Sequence, residues 1–375
     1  MSKDGVRRRA LLVTMYLLWM TFCSLIFARF AYEIDQLGAR LRTLLIHGKT
    51  SLREFEDYIP ASFPPSGRKV VSPFYVVHYG IYFSETLRPT EGIWSKQSTM
   101  NLWNVKPSGD QWAEREKYFK AAAEWVLKNG VYLSGQAHLP YEFDWAYKNY
   151  PGGMLKATWW SGLTDGYAIV LMLRAYEYFG SPAYLEMATK LYESVTTPIE
   201  AGGSLRNFRG CPWVEEYVDP RIEPQKMSAV LNGAVYAAIG VEYYEQFTGE
   251  KDIAALSKKL FDCVVENLNS FSMGWWSYYD AIGSSANIKY HRINYALVLE
   301  VLDRSPKVER INHEDLIQRW GFASRHPGLF YVIYGPRSFS YYQFLFFFLI
   351  SLLAPVILIT FRKYMISRSQ KTYAA

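Results

Sequence analysis

The chain has 375 residues, enough for one large domain or two small ones; 17% of them are aromatic and only 20% are charged. The formal net charge of +6 arises at the two ends of the chain, so it gives no argument for nucleic-acid binding. The three cysteines show no zinc-binding spacing, although Cys211 and Cys263 could pair in an oxidising compartment.

Two apolar segments near the ends of the chain are long enough to cross a membrane. Residues Ala10 to Ala28 and residues Ser338 to Phe361 contain no charged side chain. Each can span about 30 Å of hydrocarbon as a helix, with a kink expected at Pro355. A secretory signal peptide is the alternative for the first segment, but no A-x-A-like site follows it, which favours a retained anchor. We therefore predict transmembrane helices at 10–30 and 338–361.

The charges that flank these segments predict their orientation. Residues 1–9 carry three net positive charges and residues 362–375 carry four, which leaves about −1 for everything between. Basic residues favour the cytoplasmic side, so we expect two cytoplasmic tails and an extracytoplasmic or lumenal region between the spans. We predict that residues 31–70 form a juxtamembrane linker, with an amphipathic helix from Tyr32 to Leu45 and a Pro-rich stretch from Pro60 to Pro65.

Most of the sequence between the spans is predicted to be helical, because apolar residues recur at three- and four-residue steps between N-cap, Gly and Pro signals. The predicted helices run from Ser72-Pro73 to about Leu87, from Asp110 to Asn129-Gly130, from Trp160 to Phe179, from Ser181-Pro182 to Val195, from Met227 to Phe247, from Ile253 to Val264, from Arg292 to Leu302 and up to about Trp320.

Two of these helix pairs look like copies of one unit. In each pair, an aromatic-rich helix ends at a glycine, Gly180 or Gly249, and a second helix turns back. This weak repeat, with an offset of 69 residues, suggests stacked helical hairpins. Four hairpins in a ring would make residues 71–325 an all-α, α/α-toroid domain with loops gathered at one mouth; a plain solenoid is the alternative.

Two connections are too long to be simple turns. Residues 131–158 and 200–225 are rich in Gly, Pro and aromatic residues, and loops longer than about 12–15 residues are often functional. The irregular stretch 271–290 suggests a short hairpin whose first strand runs from Trp275 to Tyr279.

An ordered series of motifs spans about Leu155 to Trp320. The series comprises Trp159-Trp160-Ser161, Leu173-Arg174-Ala175-Tyr176, Glu215-Glu216-Tyr217, Val230-Leu231-Asn232-Gly233, Thr248-Gly249-Glu250, Tyr279-Asp280, Tyr290-His291 and Asp303-Arg304-Ser305-Pro306. In order and spacing it resembles the C-terminal domain of the D-glucuronyl C5-epimerases. That family has an α/α-barrel catalytic domain and inverts C5 of a uronic acid within a polysaccharide.

The resemblance implies a catalytic set of Glu216, Tyr217, Tyr279 and Tyr290. The hydrogen on C5 is a very weak acid, so the reaction needs a base on one sugar face, an acid on the other and a group that holds the carboxylate. We assign Tyr217 and Tyr290 as the opposed proton carriers, with Tyr279 assisting and Glu216 orienting or accepting protons. Since 30 tyrosines are present, a packing role is the alternative for each tyrosine taken alone.

Six further residues are candidates for substrate binding. Arg206 and Arg209 could fork a uronate carboxylate, or they could form a solvated loop face. Asn232 could contact the substrate or only bridge within its helix. The remaining candidates are Trp160, His291 and Arg292.

The sequence departs from the family at two places that touch the sugar. Ile282 replaces an arginine usually found three residues after the tyrosine that matches Tyr279, and Leu163-Thr164-Asp165 begins the run that is glutamine-rich in the family. The second span and the absence of room for preceding β-rich domains suggest a shorter microbial relative that acts on a cell-surface or lipid-linked glycan.

We therefore expect a cofactor-independent, metal-free isomerase of the D-glucuronate to L-iduronate type. Its expected partners are a uronic-acid-containing glycan and the lipid bilayer, and a homodimer remains open. A polysaccharide lyase or glycoside hydrolase on the same toroid is one alternative, and a non-catalytic membrane glycan-binding protein is another. No G-x-G-x-x-G or Walker sequence occurs, which disfavours a nicotinamide-dependent route.

Overall fold

A computed structural model describes residues 3–49, 53–63, 68–85, 108–249, 251–304 and 307–373. Several predicted features lie at least partly outside these residues: the helix end near Leu87, Pro64 and Pro65 of the linker, Glu250, and Ser305-Pro306. The described helices are α1 Lys3–His47, α2 Pro73–Ser84, α3 Gly109–Ala113, α4 Arg115–Asn129, α5 Gly162–Phe179, α6 Pro182–Thr196, α7 Leu231–Thr248, α8 Lys251–Asn267, α9 Ile288–Arg304, α10 Lys307–Asn312, α11 Glu314–Arg325, α12 Pro327–Tyr334 and α13 Phe339–Tyr373.

The strands are short and occur in four small antiparallel sheets. One sheet has the order β1-β2-β3, and the others are the pairs β4–β5, β6–β7 and β8–β9. Their bounds are β1 Arg53–Glu56, β2 Ile59–Ser62, β3 Val70–Val71, β4 Val131–Leu133, β5 Gln136–His138, β6 Trp145–Ala146, β7 Met154–Leu155, β8 Leu205–Phe208 and β9 Cys211–Val214.

Four helical hairpins form an inner and an outer layer. The inner helices α2, α5, α7 and α9 contact one another in this order, and they pack on the outer helices α4, α6, α8 and α11 respectively. The inner helices α5 and α7 come so close that a Cβ on Gly240 would lie 1.9 Å from the carbonyl oxygen of Gly166. The predicted α/α toroid is thereby confirmed.

Local signals explain where these helices begin and end. Ser72 occupies the N-cap position of α2, with Pro73 in the first turn, and Ser161 caps α5 by accepting a hydrogen bond from the amide of Thr164. Gly180 and Gly249 end α5 and α7 with φ of 76° and 68°, a backbone conformation that costs glycine little. The two predicted hairpin copies therefore share the same turn chemistry.

The two apolar segments lie in helices that pack against each other. The Trp19 indole N–H donates to the Ser351 carbonyl at 2.7 Å, and the rings of Phe27 and Phe344 are 5.4 Å apart. Both helices are long and apolar enough to cross a membrane, and α13 continues through Pro355. The predicted amphipathic helix Tyr32–Leu45 is the second part of α1, after a break in helical geometry at Phe30.

Two predictions for the irregular regions are wrong. The stretch predicted as a Pro-rich linker begins inside β2, and its sheet belongs to the domain because Phe55 and Tyr58 both pack edge-on against Tyr118 of α4. No regular strand spans Trp275–Tyr279 in this described segment, and the predicted hairpin is reduced to antiparallel contacts of Ser277, Tyr278 and Tyr279 with residues 284–286.

Candidate active site

A cavity of about 270 Å³ lies where the β1–β3 sheet and α2 meet the loops of the toroid. Its lining is mainly aromatic, and one wall carries Trp159 stacked on Tyr141 at 3.9 Å between ring centroids. Flat apolar faces beside a few polar groups suit a ring-shaped ligand. The principal residues of the lining are Arg53, Phe74, Tyr75, Tyr141, Phe143, Trp145, Trp159, Glu216, Tyr217 and Tyr290.

Three of the four predicted catalytic residues form a hydrogen-bonded chain. The hydroxyls of Tyr217 and Tyr279 are 2.6 Å apart, and the Tyr279 hydroxyl donates to Glu216 Oε1 at 3.1 Å. Tyr290 lines the same cavity, and its ring packs edge-on against Tyr279 at 4.7 Å. The structure thus brings all four residues together, although their roles remain predictions.

Burial determines the protonation of this chain. Burial raises the pKa of Glu216 to about 8, although hydrogen bonds from Tyr217 and Tyr279 oppose the shift. Burial, followed by the charge of Glu216, raises the pKa of Tyr217 and Tyr279 well above 10. The pKa of Tyr290 is raised in the same direction by burial and then by Tyr75. At neutral pH these three tyrosines therefore hold their protons, and Glu216 is largely protonated.

The first turn of α7 supports Glu216. A Cβ on Gly233 would lie 2.4 Å from Glu216 Oε2 and 2.5 Å from its Cβ, so only glycine allows the carboxyl to pack on this turn. Asn232, one of the predicted substrate-binding residues, is fully buried and is not part of the cavity lining.

Arg206, which was predicted to bind the substrate carboxylate, is instead paired inside the domain. Its Nε donates to Glu215 Oε2 at 2.8 Å, and both side chains are buried. Glu215 also accepts hydrogen bonds from the Ser228 hydroxyl and the Ala229 amide. Because its guanidinium is paired with Glu215 inside the domain, Arg206 does not line the cavity. Arg209 lies at the tip of the same hairpin, exposed and bonded to Ser270.

The other predicted substrate-binding residues also have structural partners away from the lining of the cavity. The Trp160 indole donates to the Ser204 hydroxyl at 3.2 Å. His291 is buried and stacks on Trp276 at 4.0 Å between ring centroids. Arg292 packs over Tyr32 of α1. The substrate-binding predictions therefore do not match the side chains that the structure brings to the cavity.

Arg53 and Tyr75 are cavity residues that sequence reasoning missed. The guanidinium carbon of Arg53 lies 3.4 Å from the ring centroid of Tyr75. Burial alone would raise the pKa of Tyr75, but the positive charges of Arg53 and Lys289 outweigh it and lower this pKa to about 8. No motif marks these residues, because they become neighbours only when the β1–β3 sheet folds onto α2. The described residues contain no group of three or more His, Cys, Asp or Glu that could hold a metal ion.

Residues 135–320 match the profile of the D-glucuronyl C5-epimerase C-terminus. This part of the chain belongs to that domain family. The match includes Glu216, Tyr217, Tyr279 and Tyr290, whereas Arg53 and Tyr75 precede it.

Two relatives match about half of this chain. The uncharacterized protein MJ1128 of Methanocaldococcus jannaschii is 27% identical over 213 residues, which cover 50% of this chain and 68% of that protein. The D-glucuronyl C5-epimerase of Caenorhabditis elegans is 28% identical over 199 residues, which cover 48% of this chain but only 31% of that protein.

Among solved structures, the cellobiose 2-epimerase of Bacillus thermoamylovorans matches with a TM-score of 0.41 and 11% identity, covering 79% of this chain and 72% of the other. The unsaturated glucuronyl hydrolase of Bacillus sp. GL1 matches with a TM-score of 0.40 and 14% identity, covering 85% of this chain and 94% of the other.

Proposed function

We propose that this protein is a membrane-anchored uronyl C5-epimerase that inverts C5 of a uronic acid residue in a polysaccharide or lipid-linked glycan. The observation that carries the proposal is the hydrogen-bonded chain of Tyr217, Tyr279 and Glu216, two of which, Tyr217 and Glu216, line an aromatic cavity. The family of residues 135–320 supports the same reaction class. The two apolar helices and the charges beyond them favour cytoplasmic termini and an extracytoplasmic domain.

The chemistry requires proton transfer on both faces of the sugar ring. Loss of the C5 proton places negative charge on the neighbouring carboxylate, as an enediolate. Tyr217 can deliver a proton to C5 because it holds its proton at neutral pH, and its hydroxyl is hydrogen-bonded to Tyr279, which in turn donates to Glu216. Arg53 is the cavity cation that can hold the substrate carboxylate. Tyr290 completes the set that the resemblance implies.

The arrangement of carboxyl groups favours proton transfer over glycoside hydrolysis. A hydrolase requires two carboxyl groups that flank the scissile bond. Glu216 is the one carboxyl residue among the described residues that line the cavity. The neighbouring acids are already engaged, Glu215 by Arg206 and Asp219 by Arg221.

The test is exchange of the C5 hydrogen with solvent. The protein is incubated in D₂O with a polymer of alternating D-glucuronate and N-acetyl-D-glucosamine, and deuterium at C5 is measured by NMR. We expect exchange by the wild type and a loss of about 10²–10⁴-fold in Tyr217→Phe, because the variant lacks the hydroxyl that moves the proton. Tyr278→Phe, a variant in the same loop as Tyr279 but outside the cavity lining, serves as the matched control.

Two results would contradict this proposal. One is the absence of exchange by folded wild-type protein across glucuronate-containing glycans. The other is full activity of Tyr217→Phe. Ultraviolet absorbance from a new unsaturated uronate would identify a lyase, since a lyase begins with the same proton abstraction and then expels the substituent on C4.

A further inference from the structure

A second cavity, of about 120 Å³, lies between the second part of α1, the first turn of α13 and the residue that follows β2. One face of α1 supplies most of its lining, through residues that recur at three- and four-residue steps: Ala39, Arg42, Thr43, Ile46 and His47. Ser340 of α13 and Phe63 complete the lining. This interfacial cavity has less than half the volume of the active-site cavity, so it suits a compact group.

The side chains of the interfacial cavity suit an anion. Arg42 carries a permanent positive charge. Its guanidinium carbon lies 4.8 Å from the ring centroid of Phe339, and it has no acidic partner among the described residues. The described residues that line the cavity include no carboxylate, and they add the His47 imidazole and the Ser340 hydroxyl as further hydrogen-bonding groups. A guanidinium beside other donors is a favourable environment for phosphate oxygens.

The interfacial cavity lies at the outer end of an apolar helix. Ser340 is in the first turn of α13, where the charge-free run from Ser338 to Phe361 begins. The opposite face of the cavity-lining part of α1 is apolar and exposed, and its residues are Leu37, Leu41, Leu44 and Leu45. A helix of this kind lies with its apolar face at the acyl chains and its polar face at the lipid headgroups. The face of α1 that lines the cavity is therefore at the level of the phosphate groups of lipids.

We propose that the interfacial cavity binds a phosphate group carried by a lipid of the membrane in which the protein is anchored. The guanidinium of Arg42 pairs with the phosphate oxygens, and His47 and Ser340 donate the remaining hydrogen bonds. The proposal rests on the membrane anchoring of the proposed function, but binding at this cavity requires no turnover.

Phe63 connects this site to the active-site cavity. It lines both cavities, and its ring lies 5.6 Å from that of His47. A lipid phosphate has two possible sources, a bilayer phospholipid and the lipid carrier of a glycan. In the second case, a glycan attached to the phosphate can extend past Phe63 to the cavity that holds Glu216 and Tyr217. The same phosphate site would then define the substrate of the proposed epimerase as a lipid-linked glycan.

The experiment measures lipid binding to the full chain in a neutral detergent by native mass spectrometry. The two probes are phosphatidic acid and geranylgeranyl phosphate, each compared with its phosphate-free counterpart, diacylglycerol or geranylgeraniol. We expect the wild type to bind the phosphate-bearing lipids selectively. Arg42→Gln should weaken this binding by about 10-fold or more, because it removes charge-assisted hydrogen bonds.

Two further variants make the measurement specific to the cavity. His47→Gln tests the same lining at a different residue, and it should weaken binding by a smaller factor than Arg42→Gln does. Arg40→Gln is the matched control, because Arg40 is an exposed arginine of the same helix outside the cavity lining. It should bind both phosphate-bearing lipids as the wild type does. Circular dichroism verifies that each variant is folded.

The two probes distinguish the sources of the phosphate. Tighter binding of geranylgeranyl phosphate than of phosphatidic acid would support the carrier of a lipid-linked glycan as the ligand. Equal binding of the two, or tighter binding of phosphatidic acid, would support a bilayer phospholipid.

Three results would overturn the proposal. The first is equal binding of each phosphate-bearing lipid and its phosphate-free counterpart. The second is the same loss of binding in Arg40→Gln as in Arg42→Gln, which would indicate a general attraction to basic residues. The third is unchanged lipid binding in Arg42→Gln with weaker binding of the soluble glucuronate polymer, which would assign the cavity to the glycan.

Failure of this site and failure of the epimerase function give different results. If the wild type exchanges C5 hydrogen but does not select phosphate-bearing lipids, only the lipid site is wrong. If folded wild-type protein exchanges no C5 hydrogen but binds these lipids through Arg42, the epimerase proposal fails and the lipid site stands.

Discussion

At the scale of single residues, Glu215 and Glu216 are adjacent in the chain but have opposite environments. Both residues follow β9, which ends at Val214, and Glu216 lies at a bend, so the two side chains leave the chain in different directions. Glu215 therefore turns into the domain, where Arg206, Ser228 and the backbone of Ala229 satisfy it. Glu216 turns to the cavity and meets Tyr279. The two adjacent glutamates therefore differ: Glu215 is paired inside the domain, and Glu216 faces the cavity.

The buried ion pair between Glu215 and Arg206 predicts a large loss of stability when Arg206 is replaced. Arg206→Met leaves the carboxylate of Glu215 buried without its cation, which typically costs about 3–5 kcal/mol. Denaturant unfolding of the variant should show this loss in the free energy of unfolding. Arg209→Ala, in which an exposed arginine of the same hairpin is removed, should change it by less than about 1 kcal/mol.

A double variant distinguishes the ion pair from a simple packing effect. Arg206→Met combined with Glu215→Gln removes both charges, so it should recover part of the stability lost in Arg206→Met alone. A double variant that is additively less stable than both single variants would contradict the role assigned to this pair.

The sequence predicted some residues of the candidate site and missed others. Glu216, Tyr217, Tyr279 and Tyr290 lie within the segment that carries the family motifs, and the structure places them together. Arg206, one of the two arginines predicted for the carboxylate, does not line the cavity, and sequence alone cannot distinguish an arginine that is paired in the interior from one that faces a cavity. The pairing of Arg53 with Tyr75 depends on tertiary contacts alone.

At the scale of secondary-structure elements, the helices were predictable and the strands were not. Apolar spacing and end signals such as Ser72-Pro73, Gly180 and Gly249 are local, so the predicted helix limits lie close to those observed. The β1–β3 sheet has strands of two to four residues that pack through Phe55 and Tyr58 on α4. Such short strands are stabilised by their tertiary partners rather than by their own pattern.

A disulfide links β9, the strand that precedes Glu216, to the outer helix α8. Cys211 of β9 forms a disulfide with Cys263 of α8, at a separation of 52 residues in the chain. A loop of this length predicts a stabilisation of about 4 kcal/mol through the unfolded state. Cys263→Ser should lose a comparable free energy of unfolding, measured by denaturant unfolding under oxidising conditions.

The remaining cysteine provides the control for this prediction. Cys23 of α1 is a free thiol, so Cys23→Ser should not change the effect of a reductant on stability. Wild-type protein treated with a reductant should resemble Cys263→Ser. Equal stability of the wild type with and without reductant, after the disulfide is verified as reduced, would contradict a stabilising role.

At the scale of the whole molecule, the two apolar helices are joined to the toroid by a second hydrophobic cluster. Its members include Phe27 of α1, Tyr331 of α12, Phe344 of α13 and Trp276 of the loop that precedes α9. This cluster lies beside the break at Phe30, so it fixes the orientation of the catalytic domain relative to the helix pair.

After this break, α1 runs across the end of α13 rather than along it. Phe27 packs on both Phe344 and Phe348, whereas Arg42 lies over the ring of Phe339, the first residue of α13. Phe27 and Arg42 are separated by fifteen residues of helix, about 22 Å in length. The residues of α13 that they contact are much closer to each other along that helix. The exposed apolar residues Leu37, Leu41, Leu44 and Leu45 continue along this segment, as expected for a helix that lies in the membrane surface.

The topology predicted from the two apolar helices and their flanking charges can be tested with single introduced cysteines. The native thiols give a low background, because Cys23 is buried and the other two are paired. Glu200→Cys places a thiol on the exposed outer surface of the toroid, and Lys363→Cys places one on the exposed basic end of α13. A membrane-impermeant maleimide should label Glu200→Cys in intact cells and Lys363→Cys only after permeabilisation, because basic flanks favour the cytoplasmic side. Labelling of both variants from the same side of the membrane would contradict two spans, and the reverse pattern would place the catalytic cavity in the cytoplasm.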